Sequence, residues 1–416
     1  MAQLAELTGV FARIGVLSFG GPAAQIALMH RELVDRRSWL SEDEYLRALS
    51  FCMLLPGPEA MQLATYAGWR LQGVRGGLIA GLLFVLPGAC VVMALALAYV
   101  FFGSLPLVEA LFLGVKAAVI AIVIEALFKV ARRALKSRTA YMIAGSSFLA
   151  IFAFGLPFPV IIGAAAIWGF LSGGGVEPAK ATRPDLRALG RTVAVWGSVW
   201  LAPIALLWAS GAQFLTEIAL FFSKLAVVTF GGAYAVLAYM TQEVVEERGW
   251  LSTAEMIDGL GLAETTPGPL ILVTEFVAFL AGFGIGGAGL AFAAALTALW
   301  VTFVPCFLWI FAGAPYLEWI AARPRLTGAL SAITAAVVGV ILNLSIWFGL
   351  HVLFSDIVRT DAGPVTLLTP VWSSLEPVAA GLASLAALML LGFGWPLLRV
   401  LSLSAGLGLF IGLALT

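Results

Sequence analysis

The sequence is poor in charge and in the side chains that bind metals or form disulfides. Only 11% of its 416 residues are charged, whereas soluble domains carry roughly a quarter. It has two histidines and three cysteines with no CxxC spacing, so we expect no metal site, no cofactor and no disulfide framework. HExxH, GxSxG and nucleotide-binding patterns are missing, which argues against an integral-membrane enzyme or a primary pump. The 23 basic and 23 acidic residues cancel, so net charge points to no partner, and no nucleic acid is expected.

Hydrophobic residues make up most of the chain. They account for 62% of it, and the mean hydropathy is +1.03. Apolar runs of about 20 residues, the length that crosses a bilayer, recur throughout, for example at 78–102, 105–128 and 326–350. The first residues lack the basic start of a cleavable signal, so we expect the first helix to be retained. The composition predicts an all-α polytopic membrane protein.

The chain contains an internal repeat. Residues 17–22 (LSFGGP) return as 228–233 (VTFGGA), 39–44 (WLSEDE) as 250–255 (WLSTAE), and 56–58 (PGP) as 267–269, all at an offset of 211 (228 − 17). Between residues 17 and 58, 17 of the 42 aligned pairs are identical. Later the offset is 218, because Pro87 pairs best with Pro305. We predict a first repeat (1–175), a linker with an extra membrane span (176–210) and a second repeat (211–416).

Glycine and proline interrupt two apolar segments in each repeat. If these segments enter and leave on one side of the membrane, the basic connections fall inside, as the positive-inside bias requires. If every segment crosses instead, the basic connector 30–37 falls outside. We favour the re-entrant arrangement, but an odd number of crossings separates the two repeat starts in both. The prediction is therefore two inverted-topology repeats with broken or re-entrant helices at their interface.

The breaks at 20–22 and 56–58, and their copies, suggest a binding site. Backbone groups freed at a break cannot face lipid, and a helix that restarts after it presents unpaired N–H groups and a positive dipole end to an anion. The alternative is a packing kink, since Gly and Pro are frequent in membrane helices. Duplication of the breaks at a fixed spacing favours a function.

Hydroxyl and basic side chains lie near these breaks in the sequence. Cations inside apolar segments are costly and mark substrate paths, although snorkelling to the membrane surface is the alternative. Lys116 is the deepest of them, near the middle of 105–128, and we expect it to bind substrate or balance a charge. The candidates of this kind are Arg13, Ser18, Lys116, Lys224, Thr229, Thr265 and Thr266.

Several acidic residues have no acidic counterpart in the other repeat. Glu264 and Glu275 flank the second PGP, where the first repeat has Met53 and Ala64. We predict a role in gating or proton coupling for such residues, with an interfacial position as the alternative. The set is Glu59, Glu125, Glu264, Glu275 and Asn343, the last being the counterpart of Glu125.

The two WLS sequences predict helix starts. Ser41 and Ser252 are placed as N-caps, with Glu44 and Glu255 three residues later completing a capping box.

The FGGP…WLS…PGP set with its FGG…WLS…TPGP copy resembles the chromate ion transporter family, in particular its long two-domain members, over about residues 8–400. The resemblance implies a plasma (inner) membrane location, a lipid-embedded multi-pass chain and a small inorganic anion as partner; a homodimer is among the assemblies it permits. Ala233, where the first copy has Pro22, departs from the pattern. The resemblance assigns to the anion path Phe19, Gly20, Gly21, Pro22, Pro56, Gly57, Pro58, Phe230, Gly231, Gly232, Pro267, Gly268 and Pro269.

The leading functional hypothesis is a secondary transporter that exports an oxyanion, chromate first among them, driven by membrane potential or proton motive force. A membrane negative inside favours export of a dianion by about 4.6 kcal/mol per 100 mV. Alternatives are a proton-coupled importer of sulfate or another anion, and, in another class, a lipid flippase or an integral-membrane enzyme.

Overall fold

The computed structural model describes residues 3–174, 185–230, 233–317, 319, 323–363 and 365–415 and is almost entirely helical. The helices of the first part are α1 (Leu4–Leu17), α2 (Gly21–His30), α3 (Glu42–Cys52), α4 (Glu59–Phe102), α5 (Pro106–Ala134), α6 (Arg138–Phe152) and α7 (Phe158–Ser172). They are followed by α8 (Leu186–Ala209), α9 (Gln213–Val228), α10 (Ala233–Thr241), α11 (Thr253–Thr265), α12 (Val273–Gly313), α13 (Pro324–Leu353), α14 (Pro377–Ala387) and α15 (Leu397–Leu415). Short π-helical turns occupy Arg31–Asp35, Gln242–Glu247 and Leu388–Gly392, and 3-10 turns Leu270–Leu272, Ala314–Tyr316 and Trp372–Ser374.

Six helical stretches in the described ranges are long and apolar enough to cross a membrane: Glu59–Phe102, Pro106–Ala134, Leu186–Ala209, Leu270–Tyr316, Pro324–Leu353 and Leu397–Ala414. The predicted all-α polytopic membrane protein is confirmed. The extra span expected between the repeats is α8. The inverted orientation of the repeats and the re-entrant path of the broken segments stay predictions.

The chain divides into two compact units. The first comprises Met1–Leu97, Gly173–Ala233 and Thr266–Thr327, and the second Ala98–Ser172, Tyr234–Thr265 and Gly328–Thr416. Each unit therefore combines segments from both halves of the sequence. The repeat boundaries expected from the sequence, 1–175, 176–210 and 211–416, stay a prediction.

In the first unit, helices approach one another closely at small residues, as membrane helices do. A Cβ added to Gly15 of α1 would overlap the backbone carbonyl of Leu83 in α4. Phe307 of α12 packs over Gly81 of α4, where a Cβ would lie 2.6 Å from the ring. The long helix α12 also packs against α8 and α9.

Two long helices of this unit carry the same kink. In α4, Gln72 (φ −140°, ψ 24°) and Gly73 (φ 61°, ψ −155°) leave the helical conformation. In α12, Gly286 (φ −144°, ψ 19°) and Gly287 (φ 71°, ψ −164°) do the same. The second residue needs positive φ, which glycine adopts without strain. The sequence offset between the two kinks is 214 (286 − 72). The repeat offset therefore rises from 211 at the PGP sequences to 214 at the kinks and to 218 at Pro87 and Pro305.

In the second unit, α5 packs against α14 and α15, and Gly114 of α5 allows the backbone of Ser404 in α15 to approach. Phe158 and Tyr239 stack with ring centroids 5.5 Å apart. This unit also contains an antiparallel hairpin, β1 (Ile357–Ala362) and β2 (Val365–Pro370), in which Arg359 pairs with Leu368. The hairpin was not predicted, because its short alternation of β-branched residues lies within a polar connection between helices.

Both predicted N-caps are present, and the one at Ser252 forms the complete capping box. The N–H of Glu44 donates to Ser41 Oγ at 3.2 Å. The N–H of Glu255 donates to Ser252 Oγ at 3.3 Å, and the N–H of Ser252 donates to Glu255 Oε2 at 2.8 Å. The WLS sequences therefore fix the starts of α3 and α11.

Candidate functional site

The first FGG break ends one helix and starts another. Helix α1 ends at Leu17, Gly20 and Gly21 have positive φ (86° and 74°), and Pro22 lies in the first turn of α2. Proline fits that position because its missing N–H would be unpaired there in any case. The break therefore creates the N-terminus of a new helix, as predicted.

The second FGG break also separates two helices. Helix α9 ends at Val228 and α10 begins at Ala233. Gly231 and Gly232, both predicted to bind the anion, lie outside the described residues.

Each PGP sequence forms a turn with a positive φ at its glycine, 116° at Gly57 and 90° at Gly268. Pro58 precedes α4, and Pro269 precedes the 3-10 turn that leads into α12. Residues other than glycine rarely adopt a positive φ. The glycine of each PGP is therefore required by the backbone.

The four breaks meet in two pairs, and each pair joins the two sequence repeats. The N–H of Gly57 donates to the carbonyl oxygen of Thr229 at 2.7 Å, and the N–H of Gly268 donates to that of Ser18 at 2.9 Å. Gly57 and Gly268 are equivalent in the repeat, as are Ser18 and Thr229. The PGP turn of each repeat is therefore hydrogen-bonded to the FGG break of the other. Both pairs lie in the first compact unit.

A buried glutamine donates to each PGP turn, and neither glutamine was predicted. Gln25 Nε2 donates to the carbonyl oxygens of Gly268 (2.6 Å) and Ser18 (3.2 Å). Gln62 Nε2 donates to that of Pro56 (2.6 Å). Both side chains are fully buried, and among the described residues their Oε1 atoms have no partner. The signal in the sequence was a glutamine in an apolar helix where the other repeat has Val236 or Val273.

Three of the four predicted hydroxyls donate to carbonyl oxygens of their own helices. Ser18 donates to the carbonyl oxygen of Ile14 and Thr229 to that of Leu225, and Thr265 donates to that of Leu262. Ser18, Thr229 and Thr266 are buried. The structure gives these hydroxyls a local role at the helix ends, and a role as anion ligands stays a prediction.

The basic and aromatic candidates near the breaks are more accessible. Arg13 of α1 and Lys224 of α9 are exposed, and Phe19 and Phe230 are half-buried. Their assignment to the anion path also stays a prediction.

Glu275 of α12 is fully buried, and neither carboxyl oxygen has a partner within the described part of the chain. An ionised carboxylate without a partner is too costly in such a place, so the group is expected to be neutral. Glu59, the other acidic candidate of this unit, is half-buried at the start of α4.

Lys116, in the second unit, has a carboxylate partner that the sequence did not reveal. Its Nζ lies 2.8 Å from Asp258 Oδ1 of α11, and the Tyr99 hydroxyl donates to Asp258 Oδ2 at 2.7 Å. The side chains of Lys116 and Asp258 are 24% and 9% exposed. Lys116 is therefore charge-balanced in this conformation. Asp258 could not be found from the sequence because it lies 142 residues away (258 − 116).

The other acidic candidates of the second unit also have partners. Glu264 is buried and accepts a hydrogen bond from the Tyr234 hydroxyl at 3.0 Å. Glu125 pairs with Lys129, one turn later on α5, at 2.7 Å.

Asn343 lines a cavity of about 230 Å³ in the second unit. Gln242, Glu246, Trp347 and Arg359 contribute to its wall. Burial raises the pKa of Glu246, although Arg359 and a hydrogen bond from Trp347 act in the opposite direction. Within the described ranges, no three His, Cys, Asp or Glu side chains come together as metal ligands.

A polytopic helical protein with broken helices paired across an internal repeat has the architecture of a membrane transporter. The chain belongs to the chromate transporter family, whose sequence profile matches residues 5–170 and 216–409.

Three relatives extend the comparison. A chromate transport protein of Pseudomonas aeruginosa is 33% identical over 396 residues, covering 92% of this chain and 87% of the relative. One from Cupriavidus metallidurans is 32% identical over 338 residues, covering 81% and 80%. A probable chromate transport protein of Synechococcus elongatus is 31% identical over 350 residues, covering 83% and 85%. All three are named as transport proteins and not as enzymes. No solved structure matches the chain significantly.

Proposed function

We propose that this protein exports an oxyanion, with chromate as the first candidate, across the inner membrane by secondary transport. The observation that carries the proposal is the reciprocal pairing of the breaks, Gly57 with Thr229 and Gly268 with Ser18. Discontinuous helices that meet at a repeat interface form the substrate sites of several transporter folds. The names of the three relatives supply the substrate class.

The start of α2 supports an anion as substrate. Gly21 and Pro22 are half-buried, and Ala23 and Ala24 are exposed, so the described residues cover only part of the N-terminal turn. Freed backbone groups in a membrane must line a wet cavity when protein does not cover them. The positive end of the helix dipole at this turn attracts negative charge.

Export follows from electrostatics. A potential negative inside drives each negative charge outwards with about 2.3 kcal/mol per 100 mV. A dianion therefore leaves the cell down its electrical gradient, whereas its uptake needs a coupled cation.

A second candidate is a proton-coupled importer of sulfate or a related anion on the same scaffold. The isolated, buried carboxyl of Glu275 favours it, because a neutral acid inside a membrane helix can carry a proton. In the described residues we find no feature that favours a lipid flippase.

The test is chromate accumulation by inside-out vesicles with an imposed potential, lumen positive. We expect uptake that follows the potential, is competed by sulfate and is absent from vesicles without the protein. Accumulation that responds only to a pH gradient would support the importer. Failure to transport either anion under any gradient would refute both proposals.

Lys116→Ala is expected to abolish this transport without loss of expression, since a basic residue inside a membrane helix marks a substrate path. Lys136→Ala is a matched control, because Lys136 is exposed between α5 and α6. Unchanged flux in Lys116→Ala would remove Lys116 from the transport path.

A further inference from the structure

The Lys116–Asp258 pair lies where α5 and α11 cross. Gly261, almost one turn after Asp258, allows α11 to approach closely, since a Cβ there would lie 2.9 Å from a methyl group of Val115. Val115 directly precedes Lys116. The crossing therefore holds the ammonium and the carboxylate within 2.8 Å of each other.

The groups that act on this carboxylate lie on α4, α5 and α11. Tyr99 donates its hydroxyl proton to Oδ2, and its ring contacts Phe112 of α5 edge-on, with centroids 5.7 Å apart. Glu255, one turn earlier on α11, adds a like charge. Lys116 supplies the opposing positive charge. The pair is neutral as a whole, so Lys116 has no free charge for an anion while Asp258 occupies it.

We infer that Asp258 is a displaceable counter-ion: the transported oxyanion takes its place on Lys116, and Asp258 takes up a proton as it is displaced. This inference rests on the proposed function. No covalent bond to the anion forms. A proton from water on the side of arrival binds a carboxylate oxygen of Asp258, the Lys116 ammonium only exchanges its partner, and both steps reverse on release.

The proton is required by the surroundings of Asp258. A carboxylate that is 9% exposed and has lost its cation is strongly disfavoured in an apolar interior, and protonation removes that charge. One proton therefore moves with each oxyanion. A transported dianion carries one net negative charge per cycle, and the empty carrier returns with its ion pair closed and neutral. Membrane potential still drives export, but it acts on one net charge per cycle, half the charge of the bare dianion.

The second repeat cannot form the same pair. Lys116 aligns with Thr334, whose hydroxyl donates to the carbonyl oxygen of Leu330 at 2.8 Å. The inferred coupling is therefore a property of one ion pair.

Charge stoichiometry provides the test. Proteoliposomes are loaded to equilibrium with radiolabelled chromate at equal pH on both sides under a clamped potassium diffusion potential. One net charge gives a tenfold accumulation for about 59 mV, and two charges give a hundredfold accumulation. We expect about tenfold for the wild type and about hundredfold for Asp258→Asn, which cannot take up the proton. A pH difference of one unit should change the wild-type ratio about tenfold and leave the variant unchanged.

Asp43→Asn is the matched control, since Asp43 is exposed in the first turn of α3, and it should match the wild type. Chromate itself titrates, but its speciation is the same for every variant, so a difference between them comes from the protein. Equal ratios in wild type and Asp258→Asn overturn the inference and leave the proposed function standing. Absence of chromate transport by the wild type at every pH overturns both.

In Asp258→Asn, the return of the empty carrier could stall, because the charge of Lys116 then has no partner. Exchange of internal for external chromate bypasses that step, and it should persist in Asp258→Asn. A correctly inserted variant that is inert in exchange would show that the pair is structural, which overturns the inference.

Tyr99→Phe covers the case in which Asp258→Asn fails to fold. It keeps the ring against Phe112 and removes one donor to the carboxylate, so the midpoint of the pH dependence of exchange should move to higher pH. An unchanged midpoint contradicts the inference.

Discussion

Gly88→Ala tests whether the position of the second PGP turn matters for transport. Gly88 lies in α4, and a Cβ there would overlap the carbonyl oxygen of Pro267 and lie 3.1 Å from Gly268 Cα and 2.7 Å from Leu272 Cδ1. Because two of these three neighbours are backbone atoms, no rotamer change relieves the overlap. The turn must move by roughly 1 Å to restore ordinary separations.

The movement weakens the hydrogen bond from Gly268 N–H to Ser18, now 2.9 Å. Overpacking and the weakened hydrogen bond lower the free energy of unfolding, whereas alanine in place of glycine in a helix raises it. The balance is a net loss of about 0.5–3.5 kcal/mol in the free energy of unfolding. We expect a larger effect on transport, since the displaced turn belongs to the paired breaks.

The assay compares chromate flux in proteoliposomes with thermal unfolding in detergent. Gly289→Ala in α12 is the control, since a Cβ there meets nothing within 4 Å and should stabilise the helix by up to about 1 kcal/mol. We expect at least a tenfold loss of flux for Gly88→Ala and none for Gly289→Ala. Wild-type flux in a stable Gly88→Ala variant would refute the reasoning that the paired breaks form the transport path.

Three further predictions concern buried polar groups. Gln25→Leu should lower the free energy of unfolding by about 1–3 kcal/mol, because the carbonyl oxygens of Ser18 and Gly268 lose a buried donor. The control Gln213→Leu, at an exposed glutamine, should change the free energy of unfolding by less than about 0.5 kcal/mol. Equal effects of the two substitutions would contradict the prediction. Glu275→Gln should leave the free energy of unfolding within about 1 kcal/mol of the wild type, since an isolated buried carboxyl is expected to be neutral. Denaturant unfolding that shows a loss above about 3 kcal/mol would mean that the carboxylate is charged and paired. Glu246 has a pKa raised from its ordinary value of 4.5, so folding favours its protonated form, and its contribution to stability declines as pH rises from 4.5 through the raised value. Glu246→Gln should therefore unfold at a higher temperature than the wild type above that range and not below it, and parallel melting curves from pH 4 to 8 would argue against the raised pKa.

Local features of the fold were accessible from the sequence. The helix starts at Ser41 and Ser252, the interruptions at Gly20 and Gly57, and the extra span α8 depend on nearby residues, whose patterns carry physical meaning on their own. The duplicated kink at Gly73 and Gly287 was missed, because an isolated glycine in an apolar helix seldom signals a bend.

The partners within the candidate site depend on tertiary packing. No local rule joins Gly57 to Thr229, Gln25 to Gly268, or Lys116 to Asp258, because each pair is more than 140 residues apart (258 − 116 = 142 for the closest pair). The repeat indicated that the breaks act together. It did not indicate that each turn would bond to the break of the other copy.

The interleaving of the sequence in the two compact units has a consequence for biosynthesis. Each unit takes three separate stretches of chain, drawn from both sides of the linker. A ribosome that has finished only the first repeat has thus supplied part of each unit and the whole of neither. The two halves, expressed as independent polypeptides, should be degraded when made singly and persist when made together.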